Sequence, residues 1–234
     1  RPATAPAADA AQTVCWEGPA LITVRIWFEK RNEASYISLL DMQRVMQRVL
    51  KRSGLPVWHT LGFNPHIYMT FTCPLSLGQE SLCESVDVKT EAENPDFAAW
   101  QAGLNAIMPA GIRVFRVEPA KDKASAIAFA CYTISYPAAA AGALAGYNAL
   151  PAALAEKKGK KGTKQVDLKQ YVPALDCHAE GDRVAFAVCL PAAQELNLNP
   201  SLLTGFLEEQ FGLPAAEAAI LRTALLKADR TPFC

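Results

Sequence analysis

The chain has 234 residues, with 23 Lys+Arg balanced by 23 Asp+Glu and 51% hydrophobic residues. That balance excludes a disordered tail and a uniformly basic nucleic-acid coat, and a chain of this length buries roughly 70% of its unfolded surface, so a core forms without staples.

Residues 1–20, rich in Ala and Pro and lacking an apolar h-region, are expected to be a flexible lead. Leu21 to Phe28 (LITVRIWF) is β-branched and aromatic and predicts a strand. Leu40 to Arg52 predicts a helix, with Met42, Val45, Met46, Val49 and Leu50 on one face and Gly54 past its end. Ile67 to Cys73 and Cys83 to Val88 predict two strands. Phe97 to Met108 predicts a helix opened by Asn94-Pro95 and closed at Pro109, and Ile112 to Val117 predicts a strand.

The same order returns in the second half. Ala126 to Tyr136 predicts a strand, Ala138 to Lys157 a helix broken near Pro151, and Gln165 to Cys177 and Arg183 to Leu190 two strands. Pro200 to Phe211 predicts a helix opened by Asn199-Pro200, and Ile220 to Leu226 the closing strand. Residues 124–155 carry no charge, but the run is mostly small residues interrupted by Pro137 and Pro151, so a buried strand and helix are expected and not a membrane span. The expected fold is α+β, two tandem ferredoxin-like (βαββαβ) units over residues 21–119 and 124–234, packed as one body. The alternative is a single mixed α+β sheet domain built from the same elements.

Chemical motifs are sparse. The seven cysteines, Cys15, Cys73, Cys83, Cys131, Cys177, Cys189 and Cys234, lie mostly in apolar runs and show no CxxC or zinc-ligand spacing, so they are expected to be reduced core residues of a cytoplasmic protein. There are three histidines, His59, His66 and His178, and no HExxH, GxSxG or P-loop. Cys177-His178 has no second ligand pair, and as strand neighbours the two point to opposite faces; no metal and no cofactor are expected.

Residues 36–87 are the informative stretch. Arg44, Arg48 and Arg52 recur every four residues opposite the apolar helix face, with Lys51 beside them, making a basic stripe suited to phosphate contacts. A solvated helix face is the plainer reading. The following loop, His59-Thr60-Leu61-Gly62-Phe63-Asn64-Pro65-His66, combines turn residues with an aromatic ring and two imidazoles; Phe63 is a candidate to stack on an unpaired base, with Asn64 and His66 as hydrogen-bonding groups, while the plainer reading has Phe63 and Trp58 capping the core and the histidines incidental. On a strand, Glu84 and Asp87 point to opposite faces, so they are not automatically a carboxylate pair; the alternative is that one of them holds an arginine of the helix. Residues 157–164 (KKGKKGTK) read as a solvated loop whose lysines, including Lys160 and Lys161, can sample a phosphate backbone. Residues 80–96 carry six acids and one lysine and read as a charged edge or a docking surface for a basic partner.

Taken in order, Tyr36-Ile37-Ser38-Leu39-Leu40-Asp41, Lys51-Arg52-Ser53-Gly54-Leu55-Pro56, Gly62-Phe63-Asn64-Pro65-His66, Pro74-Leu75 with Gly78 and Ser81, and Glu84 with Asp87 resemble the signature of the radical SAM-linked protein family, a bacterial domain beside or fused to a radical S-adenosylmethionine protein. The resemblance is strong over residues 22–92. It implies a cytosolic partner of a radical SAM enzyme, near RNA metabolism, and supplies no activity. Asp41, Arg44, Arg52, Asn64, Pro65, Glu84 and Asp87 match the pattern; Leu39 stands where many members carry His, so no ligand or base role is carried to that position.

The expected function is therefore a non-catalytic accessory protein that binds RNA through Arg44, Arg48, Lys51, Arg52, the Gly62–His66 turn and the lysine loop, with a radical SAM protein as partner and no membrane association. One alternative is an RNA-directed or small-molecule enzyme with a site around Asp41, His59, His66 and Glu84, which requires these groups within hydrogen-bond reach of one substrate. A protein-protein interaction module is the other.

Overall fold

The computed structural model describes residues 21–159 and 162–234. The lead at residues 1–20, with Cys15, and the loop lysines Lys160 and Lys161 lie outside the described residues.

The described residues open with β1 (Ile22–Lys30), a single 3-10 turn at Asn32–Tyr36 and α1 (Leu39–Ser53). Ser38 caps α1 by accepting a hydrogen bond from the Asp41 amide, and Gly54 ends it in the left-handed conformation that glycine adopts freely. Next come β2 (Met69–Phe71), β3 (Glu80–Thr90), α2 (Phe97–Asn105) and β4 (Ile112–Pro119). Asp96 caps α2, one residue beyond the predicted Asn94-Pro95 opening.

The second half contains β5 (Phe129–Pro137), α3 (Ala141–Ala149), β6 (Leu154–Gly159), β7 (Gly162–Asp167), β8 (His178–Glu180), β9 (Arg183–Pro191), α4 (Pro200–Phe211) and β10 (Ala219–Leu226). The predicted helix over 138–157 is thus cut to nine residues, ahead of Pro151. The predicted lysine loop and only the first residues of the strand predicted over 165–177 enter an antiparallel hairpin of β6 and β7; that strand ends at Asp167, a 3-10 turn at Leu168–Gln170 follows, and β8 begins only at His178. Glycines at 159 and 162 sit at its turn, and the lysine-rich arms carry no apolar alternation that would have betrayed strands.

The result is a mixed α+β fold with four helices among the described residues. Eight strands form one sheet in the order β4-β1-β3-β10-β5-β9-β8, and β2 also pairs with β3; the β6–β7 hairpin stands apart. Every pairing in the large sheet is antiparallel except β10 with β3, which join in parallel through Leu221↔Glu80 and Arg222↔Ser81. Those few pairs stitch the two halves of the chain into one sheet.

Two apolar clusters lie against it. In one, Val24, Ile26 and Phe28 of β1 meet Met42, Met46 and Leu50 of α1 and Trp100 and Leu104 of α2. In the other, Ile134 and Tyr136 of β5 meet Leu144 and Tyr147 of α3 and Leu203 and Leu207 of α4. The alternate residues of β1 are buried too: Trp27 packs edge-on against Phe233, and Arg25 donates to the Cys234 carbonyl at 2.7 Å. Burial on both faces explains why β1 reads as an almost unbroken apolar run.

The expectation of seven reduced cysteines is corrected. Cys131 and Cys189 face each other directly across β5 and β9 and form a disulfide. Cross-strand neighbours at such a position come close enough to bond, and the register that places them there is not local sequence information. Cys73, Cys83, Cys177 and Cys234 are free.

Candidate functional site

Two regions carry functional groups, at opposite ends of the first half. The basic stripe forms as expected: Arg44, Arg48, Lys51 and Arg52 are all exposed on α1, opposite its buried Met42, Met46, Val49 and Leu50. Arg44 is paired with Asp41 at 2.9 Å. Among the described residues Arg48, Lys51 and Arg52 enter no ion pair.

Just beyond the C-terminal end of α1, Val57 bridges to Thr90 and His59 to Ile67, pinning the ends of the 59–66 loop to the Thr90 end of β3. Residues 61–66 are all exposed, and Phe63 is fully so, at 103% of its reference area, with Leu61 at 89%. Phe63 therefore caps no core. The loop is held by its own polar groups: the Thr60 hydroxyl lies 3.0 Å from His66 Nδ1 and accepts from the His66 amide, and His59 Nδ1 lies 3.1 Å from the Val57 carbonyl. Trp58 and Tyr68 pack against each other with the Lys89 ammonium over both rings.

At the other end of β3 lies a buried charge cluster. Glu84 is bonded to Arg222 of β10, whose guanidinium also donates to the Cys73 carbonyl at 2.7 Å and meets the Ser81 hydroxyl at 3.4 Å. Lys30 of β1 is buried beside them and donates to the Ile37 carbonyl at 2.8 Å. Burial lowers the Lys30 pKa, opposed by Glu84 and reinforced by Arg222. The same burial pushes the Cys83 thiol up to about 11 and the Tyr132 hydroxyl up to about 12, so both stay protonated at neutral pH. On the opposite face of β3, Asp87 holds Arg25 through two bonds of 2.7 and 2.9 Å. Glu84 and Asp87 do face opposite ways and each does hold an arginine, but the arginines come from strands β10 and β1 and not from the helix.

Asp41, His59, His66 and Glu84 are not brought together. Glu84 and Thr90 are separated by about 20 Å of strand, and the histidines lie at the Thr90 end. Asp41 is at the start of α1, its carboxylate bonded to Ser38 and Arg44, which lower its pKa in that order. No single substrate atom is within reach of all four. The acidic stretch 80–96 is likewise largely spent inside the fold: Glu80 binds Arg31 and the Asn32 amide, Glu84 and Asp87 hold arginines, and Asp96 caps α2.

Arg25, Lys30 and Arg222, which matter most to the buried electrostatics, were not among the candidates. A lone cation inside an apolar strand, as in TVRIWF and AILRTAL, is the signal that marks two of them. Among the described residues no group of His, Cys, Asp and Glu is arranged to hold a metal ion, and no helix is long and apolar enough to cross a membrane.

A family model described as "Uncharacterized protein conserved in bacteria (DUF2344)" matches residues 23–200. A search among curated proteins finds no match.

Proposed function

The chain belongs to the DUF2344 family of uncharacterized proteins conserved in bacteria, and within it we propose that it acts as a non-catalytic accessory module that binds single-stranded RNA through α1 and the 59–66 loop. The observation that carries this reading is the fully exposed Phe63 at the same end of the molecule as the unpaired Lys51 and Arg52. Exposed aromatic rings beside unpaired cations are what unpaired bases and their phosphates bind: the ring stacks on a base, and the cations release counterions from the backbone. Nothing in the packing accounts for a phenylalanine held wholly in solvent.

The connectivity supports a further part of the proposal, that the halves are two ferredoxin-like units. β1 to β4 lie in the order β4-β1-β3-β2, and β5, β8, β9 and β10 in the order β10-β5-β9-β8, with α1, α2, α3 and α4 at matching places in the chain. In this reading the β6–β7 hairpin is an insertion in the second unit. The partnership with a radical SAM enzyme rests on the sequence resemblance alone.

Fluorescence anisotropy with a labelled single-stranded RNA tests the proposal. Three phosphate contacts from Arg48, Lys51 and Arg52 give a log–log salt slope of about −2, a loss of roughly twentyfold between 50 and 200 mM salt. Phe63→Ala is expected to weaken binding by about 1–3 kcal/mol, roughly 5- to 150-fold. Arg48→Glu with Arg52→Glu is expected to abolish it. Absence of saturable, salt-sensitive binding, or undiminished binding by both variants, overturns the reading.

A further inference from the structure

Beside Arg222, where β10 joins β3, is a cavity of about 90 Å³ lined by Ser76, Gln79, Tyr132, Asn197 and Asn199 as well as Arg222 itself. Its walls come from both halves of the chain; six of its ten lining residues carry strong hydrogen-bonding side chains, the others being Cys73, Pro74, Leu75 and Ala192. Arg222 is the one charged residue of its lining, and the buried cluster behind it, with Glu84 and Lys30 lining a neighbouring cavity, does not balance. Lys30 and Arg222 are 4% and 1% exposed, and the one carboxylate buried with them is Glu84, also 4% exposed. Two interior cations face one interior anion. Arg222 cannot shed its proton, and a buried surplus of charge is met by a counter-charge or, at Lys30, eased by the lowered pKa.

The cavity's donors point to the kind of counter-charge. Ser76 accepts from the Asn199 amide group, which leaves its own hydroxyl proton to donate. Tyr132, protonated at neutral pH, lines the same space. The Asn197 side chain enters no hydrogen bond among the described residues and stands exposed at the edge of the cavity. Asn199 is also the N-cap of the 12-residue α4, whose dipole adds positive potential there. The volume holds about three water molecules, enough for a tetrahedral oxyanion and too little for a nucleoside.

We propose that this cavity binds a phosphate-type oxyanion, either the free ion or the terminal phosphate of a larger molecule, which completes the charge balance between Lys30, Glu84 and Arg222 and bridges the two halves of the chain. The site is separate from the RNA-binding surface on α1 and stands or falls independently of it.

Thermal denaturation of the full chain, titrated with inorganic phosphate at constant ionic strength, tests the assignment. A saturable rise in Tm is expected, following ligand binding to the folded state. Asn199→Asp is the informative variant, because aspartate caps a helix as well as asparagine and places a fixed carboxylate at the cavity. It is expected to remove the phosphate response while leaving the protein folded. Arg48→Glu, on the α1 surface, is expected to leave the response intact. The proposal is overturned if phosphate gives no saturable rise, if Asn199→Asp responds like the parent, or if the response is lost with Arg48→Glu instead. An equal response to acetate overturns the phosphate assignment in favour of a carboxylate. If phosphate passes these controls, titration with a 5′-phosphorylated dinucleotide separates a terminal phosphate from the free ion.

Discussion

Replacing Glu84 by glutamine keeps the side chain's shape and removes the one negative charge shared by Arg222 and Lys30. The Arg222 guanidinium keeps its bonds to the Cys73 carbonyl and Ser81 hydroxyl, but two cations then face each other in the interior. Breaking a buried pair on one side costs about 3–5 kcal/mol, because the remaining charge is left uncompensated. For a chain of this size each kcal/mol moves Tm by about 2–4 °C, so Glu84→Gln is expected to lower Tm by roughly 6–20 °C. Urea unfolding followed by tryptophan fluorescence measures the loss directly, in a buffer free of phosphate and sulfate. Lys30→Met removes the surplus cation, so in the Glu84→Gln background it is expected to restore at least about 1 kcal/mol, a coupling well above additive error. A Glu84→Gln protein within 2 °C of the parent, or strictly additive effects of the two substitutions, would refute the reasoning.

Three other outcomes follow from the packing. Gly111 has φ +80°, and a Cβ there would sit 2.5 Å from the Arg31 carbonyl oxygen and 2.8 Å from the Ala34 methyl; Gly111→Ala is expected to cost about 2–4 kcal/mol in denaturant unfolding, from strain and overpacking together. Ser38→Ala removes the α1 cap and is expected to cost about 0.5–2 kcal/mol. It also removes the main cause of Asp41's lowered pKa, so NMR titration of the variant should find that carboxyl closer to its ordinary value. In the parent, the stability tied to Asp41 is present above the ordinary carboxylate value and is lost as pH falls through the lowered one. Cys83, pushed up to about 11 by burial, is only about 1% thiolate at pH 9, where an ordinary thiol is half ionised, so its alkylation in the folded state should trail that of a denatured control by at least about 50-fold. Because its folded pKa is raised, its contribution to stability is complete below pH 9 and is lost as pH climbs through about 11.

Much of the local architecture is legible in the residues. Helix α4 spans the predicted residues, because Asn199-Pro200 before it and Gly212 after it are start and stop signals that act within one turn. Period-two alternation is likewise local, which is why the opposed directions of Glu84 and Asp87 could be read before any partner was known. The basic face of α1 is a consequence of its four-residue spacing and survives intact. Where local signals are absent the reading fails: the β6–β7 hairpin has lysines where a strand would show apolar alternation, and the small-residue run at 138–157 has no stop signal except Pro151.

The candidate site divides the same way. That Phe63, Asn64 and His66 sit in a turn follows from Gly62 and Pro65; that Phe63 finds no core to enter is settled only by where Val57 and Ile67 anchor the loop. Sequence alone thus determined the order of elements outside the β6–β7 hairpin, the faces of individual strands and helices, and the stripe on α1, because each depends on residues a few positions apart. The tertiary structure alone decided that β10 inserts beside β3, that Arg222 meets Glu84 from 138 positions away, and that Cys131 lies opposite Cys189. Register between distant strands is chosen by the burial of whole faces and by the cost of leaving a charge unpaired, and neither quantity exists until the sheet is assembled.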